Sequence, residues 1–246
     1  IWWAKNPLAT VWVGQGKVPF SRQEYTSSGK QQFVDRWIGN ALYAPGRDQG
    51  IRLEGMNQSK TFEYAIGAYN GIARNININD NDEYLYSGRV AWMPFGEYKF
   101  EESSLDRPDG PRLALGLAGL TNTVGLGASA IDVERLGYEV AFKWGGFNAQ
   151  GEFFDENAEN QSNVTSDNQG YYIQAGYLFP GNKFEIAGRW ESIERKIRAH
   201  PFARDVKAKP RILTITQSTY DGVLYNVETI KDLLGTKIDT LHFDEA

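Results

Sequence analysis

Hydrophobic and polar positions alternate with a period of two along residues 133–146, VERLGYEVAFKWGG. One face of this segment contains Leu136 and Tyr138, and the opposite face contains Arg135 and Glu139. A period of two indicates a β-strand, because successive side chains of a strand point to opposite faces of the sheet. The segment is therefore predicted to be a strand with one apolar face and one polar face.

The same alternation predicts about nine strands before residue 196 and no long helix. Most of these segments approach the roughly 9 to 11 residues that a tilted membrane-spanning strand needs. The predicted strands are 10–18, 50–57, 61–71, 84–96, 112–120, 133–146, 146–154, 171–179 and 183–191.

Polar, turn-rich segments separate the predicted strands, and long connections alternate with short ones. Residues 75–83, 103–111 and 155–170 are predicted to be long connections, whereas residues 145–146 and 180–182 are predicted to be tight turns. This alternation is typical of outer-membrane barrels, which have long loops on one side of the membrane and short turns on the other. Aromatic side chains are predicted near strand ends, where they would form interfacial girdles, at Trp92, Phe95, Trp144, Phe179 and Trp190.

Two interpretations of the pattern differ in which face of the sheet meets solvent. A soluble β-sandwich or a lipocalin-like barrel that binds a ligand alternates in the same way, but it turns its apolar face inward. Strand length, the 26 glycines and the aromatic positions favour the membrane interpretation. We therefore predict an all-β fold, an antiparallel transmembrane β-barrel that is present in part.

Composition narrows the possible partners. The 246-residue chain has a formal net charge of -5, so no basic surface is predicted and no nucleic-acid partner is expected. Cysteine is absent, which excludes thiolate metal sites and disulfides. The longest nearly apolar run, residues 113–120, is far shorter than the roughly 20 residues of a membrane-spanning helix.

Two short motifs in the polar connections are predicted to have no function. Residues 75–83 offer Asp80, Asp82 and Glu83 as possible ligands for a hard cation, but the segment lacks the glycine and the distal glutamate of an EF-hand loop. A solvated loop without metal is the favoured interpretation. Asn163 begins a match to the glycosylation acceptor motif, which is expected to be a chance match in a bacterial type of chain.

The pattern changes near residue 196. Two β-branched or apolar runs, at 212–216 and 238–243, flank a helical pattern that Asn226 would cap and Gly235 would end. This arrangement predicts a βαβ unit with parallel strands, which is not expected to continue an antiparallel barrel. The predicted organisation is a partial barrel at 1–195 and a short βαβ segment at 196–246.

Four segments in order resemble the phosphate-selective porin O and P family, namely 13–37, 46–55, 64–71 and 88–96. The resemblance implies an outer-membrane barrel of about sixteen strands that passes anions such as phosphate or polyphosphate by passive diffusion. It also implies outer-membrane lipid as a partner and a homotrimer as the assembly. Residues 10–195 would supply about half of such a barrel.

Basic side chains on the polar face are the candidates for anion binding, because a partly dehydrated phosphate needs fixed positive charge and N–H donors. Glutamates lie on the same face, so a solvated lumen with balanced ion pairs is weighed beside this interpretation. The candidate pore-lining residues are Lys17, Arg22, Lys30, Arg36, Arg52, Arg89, Arg135 and Lys143.

The end of the chain, from residue 198, resembles the major domain of the Orn/Lys/Arg decarboxylases, which use pyridoxal phosphate. The motifs are STYDG at 218–222, YNVE at 225–228 and HFDEA at 242–246. The resemblance implies that Asp244 corresponds to the partner of the cofactor's pyridinium nitrogen. No residue matches the Schiff-base lysine, so no cofactor and no catalytic residue are expected here, and enzymatic activity is left open.

The two resemblances point to different compartments, since the porins lie in the outer membrane and the decarboxylases are cytoplasmic. Residues 191–200 join them, and the segment IERKIRAHPFARD is expected to interrupt the strand pattern. The sequence therefore predicts a chimeric or fragmentary reading frame in which the porin part provides the function. A decarboxylase fragment is the alternative function.

Overall fold

Twelve strands in one sheet make up most of the computed structural model. The structure describes residues 2–6, 8–76, 78–79, 81–161, 164–198, 212–217 and 240–245, with side chains described only within 8–194. The strands are β1 (Trp2–Asn6), β2 (Ala9–Lys17), β3 (Arg47–Met56), β4 (Phe62–Tyr69), β5 (Leu85–Trp92), β6 (Arg112–Val124), β7 (Ile131–Trp144), β8 (Phe147–Asn160), β9 (Thr165–Leu178), β10 (Glu185–Arg198), β11 (Ile212–Gln217) and β12 (Thr240–Glu245).

The helices of the described residues are short. Helix α1 (Arg22–Tyr25) and helix α2 (Asn40–Tyr43) have four residues each, and two 3-10 turns lie at Ser28–Lys30 and Gly127–Ser129. None of the helices in the described ranges is long and apolar enough to cross a membrane. The all-β prediction is confirmed, because helices supply only isolated turns between strands.

All nine strands predicted before residue 196 are present, as β2 to β10. The predicted long connection at 155–170 is wrong, because β8 continues to Asn160 and β9 begins at Thr165. Both faces are polar there, so the sequence shows no alternation, yet Asp155 pairs in register with Gln169 and Asn157 with Asp167. Main-chain pairing with a neighbouring strand extends these strands where hydrophobicity gives no signal.

The expected interruption at 191–200 is also wrong for the strand itself. Strand β10 runs unbroken to Arg198, which pairs with Thr165 of β9. Strand β11 then pairs antiparallel with β10, so the last part of the chain does continue the sheet. Strands β11 and β12 are parallel, as the βαβ pattern predicted, while the predicted helix between them lies outside the described residues.

Neighbours in the sheet follow chain order from β1 to β12, so β1 and β12 are its edges in the described part of the chain. Every pair is antiparallel except β11 with β12. Successive connections therefore alternate between two ends of the sheet. The loop end has the connections 18–46, 70–84, 125–130 and 161–164, and the turn end has 57–61, 93–111, 145–146 and 179–184.

The two faces of the sheet are inverted relative to a water-soluble protein. Along β7, Tyr138 and Val140 are exposed, whereas the alternate residues Glu139, Ala141 and Lys143 are buried. Strand β5 shows the same inversion. Burial of the polar face and exposure of the apolar face are what the membrane interpretation predicts, and the soluble alternative predicts the reverse.

An apolar belt covers the exposed face from β3 to β10. Exposed apolar area of this extent would cost about 25 cal/mol for each Å² in water, so the belt needs an apolar environment. Its large side chains are Ile51, Leu53, Phe62, Ile66, Tyr86, Val90, Trp92, Leu115, Leu117, Leu136, Tyr138, Val140, Trp144, Phe147, Phe153, Ile173, Tyr177 and Ile186.

Aromatic side chains lie at the turn-end margin of this belt. Trp92 and Trp144 are the last residues of β5 and β7, and Phe95 and Phe179 follow within the next connections. Trp144 is 58% exposed. The predicted position of Trp190 at a strand end is wrong, because β10 continues eight residues beyond it to Arg198.

The sheet curves around residues 18–46, which we call the inward connection. Its atoms bond to inward-facing groups on widely separated strands, including Ser87 of β5, Glu152 of β8 and Glu191 of β10. One short segment can reach strands so far apart only if the sheet wraps around it. The inward connection starts and ends at the loop end, yet Gln32 bonds to Glu185, the first residue of β10 at the turn end.

Aromatic packing fixes the inward connection against the wall. Trp37 stacks on Tyr43 and on Phe154 of β8, with ring centroids 5.7 and 5.5 Å apart. Gly170 of β9 leaves room for this stack, because a Cβ there would lie 2.6 Å from the Tyr43 ring and 2.9 Å from the Trp37 ring. The described core therefore lies inside the curved sheet, between the wall and the inward connection.

Candidate functional site

The polar face of the sheet forms a lining of alternating charges. Arg89 of β5 donates to both carboxylate oxygens of Glu139 on β7, at 2.9 and 2.5 Å, and to Glu63 of β4 at 2.6 Å. Arg22 of α1 approaches the same Glu139 at 3.4 Å. These four side chains are mostly buried, so the ion pairs keep their strength instead of being screened by water.

Helix α1 places Arg22 within the lining. Ser21 caps the helix by accepting from the backbone N–H of Glu24 at 3.1 Å. At the other end, Lys17 donates to the backbone carbonyls of Glu24, Tyr25 and Thr26, the last at 3.0 Å. A lysine at this position satisfies the free carbonyls of the last turn.

Carboxylates of the wall hold the backbone of the inward connection. Glu152 of β8 accepts from the backbone N–H of Arg22 at 2.6 Å and of Gln23 at 2.9 Å. Glu191 of β10 accepts from the backbone N–H of Ile38 at 2.8 Å. Each contact gives a backbone N–H of the connection a partner inside the sheet, so these contacts fix the path of the connection.

A second connection enters the lining from the turn end. Residues 93–111, which we call the turn-end connection, carry Glu102, which is 2% exposed. Glu102 accepts from the backbone N–H of Gln32 at 2.8 Å and from the side-chain amides of Gln23, Gln150 and Gln174 at 3.0 to 3.1 Å. Its own N–H donates to the carbonyl of Lys30 at 3.0 Å. The two connections therefore meet inside the curved sheet around one carboxylate.

Burial and hydrogen bonding shift the pKa values of three side chains in the two connections. The hydrogen bond from Lys30 holds the pKa of Glu101 below its usual range. Burial raises the pKa of Tyr98 and of Tyr25. Glu101 is therefore ionised and both tyrosine hydroxyls are neutral near pH 7.

The eight basic residues predicted from the sequence all lie on the lined face or on the inward connection. Six of them pair with a carboxylate: Arg22 and Arg89 with Glu139, Lys30 with Glu101, Arg36 with Glu24, Arg52 with Glu54 and Arg135 with Glu156. The other two donate to backbone carbonyls, Lys17 as above and Lys143 to Ser103 at 2.7 Å. The structure brings Arg22 and Arg89 together at Glu139, and Lys17 and Arg36 together at the Thr26 carbonyl, while Arg135 and Lys143 stand apart.

A cavity of about 560 Å³ opens at the loop end, and we call it the rim cavity. Its lining residues are Lys17, Glu24, Tyr25, Ser27, Ser28, Arg36, Arg47 and Arg74. The sequence analysis missed Arg47 and Arg74. Strand pairing could have indicated Arg47, which lies directly across from Lys17 in the register of β2 and β3, whereas the sequence gives no signal for Arg74 in the connection 70–84.

The described residues show no group of three or more histidine, cysteine, aspartate or glutamate side chains arranged to hold a metal ion. Of the two motifs predicted to have no function, Asp80 and Asn163 lie outside the described residues. Asp82 and Glu83 lie in the connection 70–84 at the loop end.

Two protein families match parts of the sequence. The family described as phosphate-selective porin O and P matches residues 2–108 and 114–201, which is more than half of the chain. The chain belongs to this porin family. A second family, described as the major domain of Orn/Lys/Arg decarboxylase, matches residues 179–246 and overlaps the end of the porin match.

Among curated proteins, one similar protein aligns with most of the chain and two decarboxylases align with short segments of it. An uncharacterized protein of Aquifex aeolicus is 24% identical over 250 aligned residues, covering 85% of this porin-family chain and 55% of the relative. Lysine decarboxylase LdcA of Pseudomonas aeruginosa is 50% identical over 56 residues, and the biodegradative arginine decarboxylase of Escherichia coli is 44% identical over 79 residues. The chain spans only 8% and 10% of these two enzymes and about half of the Aquifex protein.

The decarboxylase match implies pyridoxal phosphate in that family. Its Schiff-base lysine has no counterpart in the described tail strands, ILTITQ and TLHFDE, which contain no lysine. Asp244 is placed in β12 by its backbone, and its side chain lies outside the described residues.

Proposed function

We propose that residues 1–195 form part of the wall of an outer-membrane diffusion channel for small anions of the phosphate class. Membership of the phosphate-selective porin O and P family supports the channel function. The observation that carries the proposal is the inversion of the sheet, with an apolar belt outside and a charged lining inside. A wall of this kind suits lipid on one side and an aqueous path on the other.

The inward connection would set the width of the path. It occupies the space inside the curved sheet and meets the turn-end connection at Glu102. Backbone groups at membrane depth are tolerated where they line a polar cavity and find partners, as those of Arg22, Gln23 and Ile38 do. This arrangement supports a narrow, selective path over a wide and unselective one.

Assembly belongs to the same proposal. The sheet of one chain has edge strands at β1 and β12 in its described part, and unpaired strand edges are costly in lipid. We propose that the parent porin completes the barrel and assembles as a homotrimer in outer-membrane lipid. The decarboxylase-like tail has no role in transport in this proposal.

The test is reconstitution of the full-length parent porin, which completes the barrel, in planar lipid bilayers under a potassium chloride gradient. We expect discrete conductance steps and a reversal potential with the sign of anion preference. A cation-selective conductance would contradict the anion preference, and the absence of any conductance at all protein concentrations would contradict the channel itself. Heat-denatured protein inserted in the same way is the control.

A further inference from the structure

A groove opens on the exposed face of the sheet at the loop-end margin of the apolar belt, and we call it the belt groove. Its floor is formed by Gly88 of β5 and Gly119 of β6, which pair directly with each other. Ile66 of β4 and Leu136 of β7 stand on either side of the two glycines in the same row of paired residues. The groove has a volume of about 540 Å³, which lies in the range of small-molecule sites.

Neither packing nor backbone conformation requires glycine at the floor of the groove. A Cβ at Gly88 would meet only the Ala65 carbonyl oxygen within 4 Å, at 3.9 Å, and a Cβ at Gly119 would meet only the Leu136 side chain, at 3.8 Å. Neither glycine has a positive φ. The two glycines therefore leave an apolar depression in the belt, and a methylene chain that filled it would gain dispersion contacts with both walls.

The margin of the groove toward the loop end is polar. Tyr86 pairs with Thr121, and Thr121 pairs with Glu134, in the row next to the glycines. Asp155 pairs with Leu136 in the row of the glycines itself. These side chains line the groove together with its apolar floor. The groove thus crosses the boundary between the apolar belt and the polar ends of the strands, which is the level at which a lipid headgroup joins its acyl chains.

Two carboxylates in the groove have no cationic partner among the described residues. Glu134 is exposed, and its carboxylate makes no ion pair or hydrogen bond with another described residue. The carboxylate of Asp155 accepts from the side-chain amide of Gln169 at 3.0 Å. Arg135 also lines the groove, but its guanidinium turns inward to Glu156. The groove therefore presents uncompensated negative charge beside an apolar depression.

The charge of the surrounding strands indicates which occupant fits. Strands β4 to β9 lie within the described residues, and no basic side chain occupies their exposed face. A second copy that packed the same face here would add only further carboxylates. A lipid with an ammonium headgroup supplies the missing positive charge, and its acyl chain matches the depression. The acidic residues of this face are Asp132, Glu134, Asp155, Glu159 and Asp167.

We propose that the belt groove binds an aminophospholipid. Methylene groups of one acyl chain lie over Gly88 and Gly119, and the ammonium headgroup lies at Glu134 and Asp155. The site rests on the part of the proposed function that places the sheet in a membrane, and it does not depend on the passage of anions.

Native mass spectrometry of the full chain in detergent micelles tests the headgroup preference. Phosphatidylethanolamine and phosphatidylglycerol with the same acyl chains are added at equal concentrations. We expect one retained phosphatidylethanolamine per chain, preferred by about fivefold, because ion pairs near water are weak. The double variant Glu134→Gln/Asp155→Asn should lose the preference. The control Glu159→Gln removes an exposed carboxylate of the same face outside the groove and should keep it.

A second pair of variants tests the depression. Gly88→Leu places an apolar side chain over the floor and should reduce the retention of both lipids, because the acyl chain loses its contacts. The control Val90→Leu enlarges an exposed side chain on the same strand outside the groove and should retain lipid as the unaltered chain does. Far-ultraviolet circular dichroism should show the same strand content in every variant, since the Gly88 position has space for a side chain.

Equal retention of the two lipids by the unaltered chain, or no retained lipid, overturns the proposal. A Gly88→Leu variant that dissociates oligomers while retaining lipid overturns it as well, and identifies the groove as a contact between copies. Bilayer recordings of the parent porin separate the two proposals. An aminophospholipid preference with a conductance lacking anion preference removes anion passage alone, whereas an anion-selective conductance without that lipid preference removes the belt groove site alone.

Discussion

Glu139 holds two guanidinium groups inside the sheet, those of Arg89 and Arg22. The variant Glu139→Gln keeps the shape of the side chain and removes its charge, which leaves two buried cations with one remaining carboxylate partner, Glu63. Breaking a buried ion pair from one side costs about 3–5 kcal/mol. We expect a loss of this order in the free energy of unfolding, measured by urea titration in detergent micelles.

The matched control is Lys60→Gln. Lys60 pairs with Glu97 at 2.6 Å, but the lysine side chain is 58% exposed. An exposed pair contributes about 0–1 kcal/mol because water screens it. Equal losses for the two variants would show that the lining around Glu139 is solvated and would remove the argument for a low-dielectric interior.

The sequence predicted the face on which a side chain lies but not the partner that it contacts. The basic residues on the strands were placed on the correct face, because alternation determines the face of each side chain. Their carboxylate partners could not be assigned, since Arg22 and Glu139 are 117 residues apart in sequence. Glu102 and Arg74 lie in connections without periodicity, so no pattern indicated that Glu102 would lie inside the curved sheet or that Arg74 would line the rim cavity.

Strand β7 shows how depth in the belt determines tolerance to charge. Val140 lies in the middle of its exposed apolar face, whereas Thr121 of β6 lies on the same surface toward the loop end. In lipid, Val140→Arg should destabilise the folded state by about 2–4 kcal/mol, and Thr121→Arg by about 0–1 kcal/mol. Unfolding titrations in lipid vesicles measure both variants. Equal, near-zero effects would contradict a lipid-facing belt.

The inward connection depends on the turn-end connection through Glu102. The variant Glu102→Ala removes the acceptor of the Gln32 N–H and of the Gln23, Gln150 and Gln174 amides. Buried donors without partners cost about 1–3 kcal/mol each, so the inward connection should loosen. We expect a larger and noisier single-channel conductance. Glu97→Ala, in the same connection but with a partly exposed side chain, should leave the conductance unchanged.

Secondary structure was predictable where one face of a strand is apolar. Strands β2 to β10 are all present for this reason, because the apolar belt imposes a period of two. The extension of β8 and β9 was missed, since polar side chains occupy both faces beyond the belt. The folding of residues 18–46 into the sheet was missed as well, because it is specified by contacts with distant strands.

The whole chain combines matches to two families whose ranges overlap at residues 179–201. We expect that one long sequencing read of the source DNA across codons 185–205 will show a porin gene and a decarboxylase gene as separate reading frames. A continuous frame in that read would contradict the chimera prediction. The overlap begins in the connection before β10 and contains the whole of that strand, Glu185–Arg198.

Contacts of the inward connection impose an order on folding. Its backbone partners Glu152 and Glu191 follow it in sequence by 129 to 153 residues. Contacts so remote in sequence form slowly, because the intervening chain must first be brought into place. Residues 18–46 therefore lack their hydrogen-bond partners until β8 and β10 have formed. A protease added during refolding should cut the chain first within this connection.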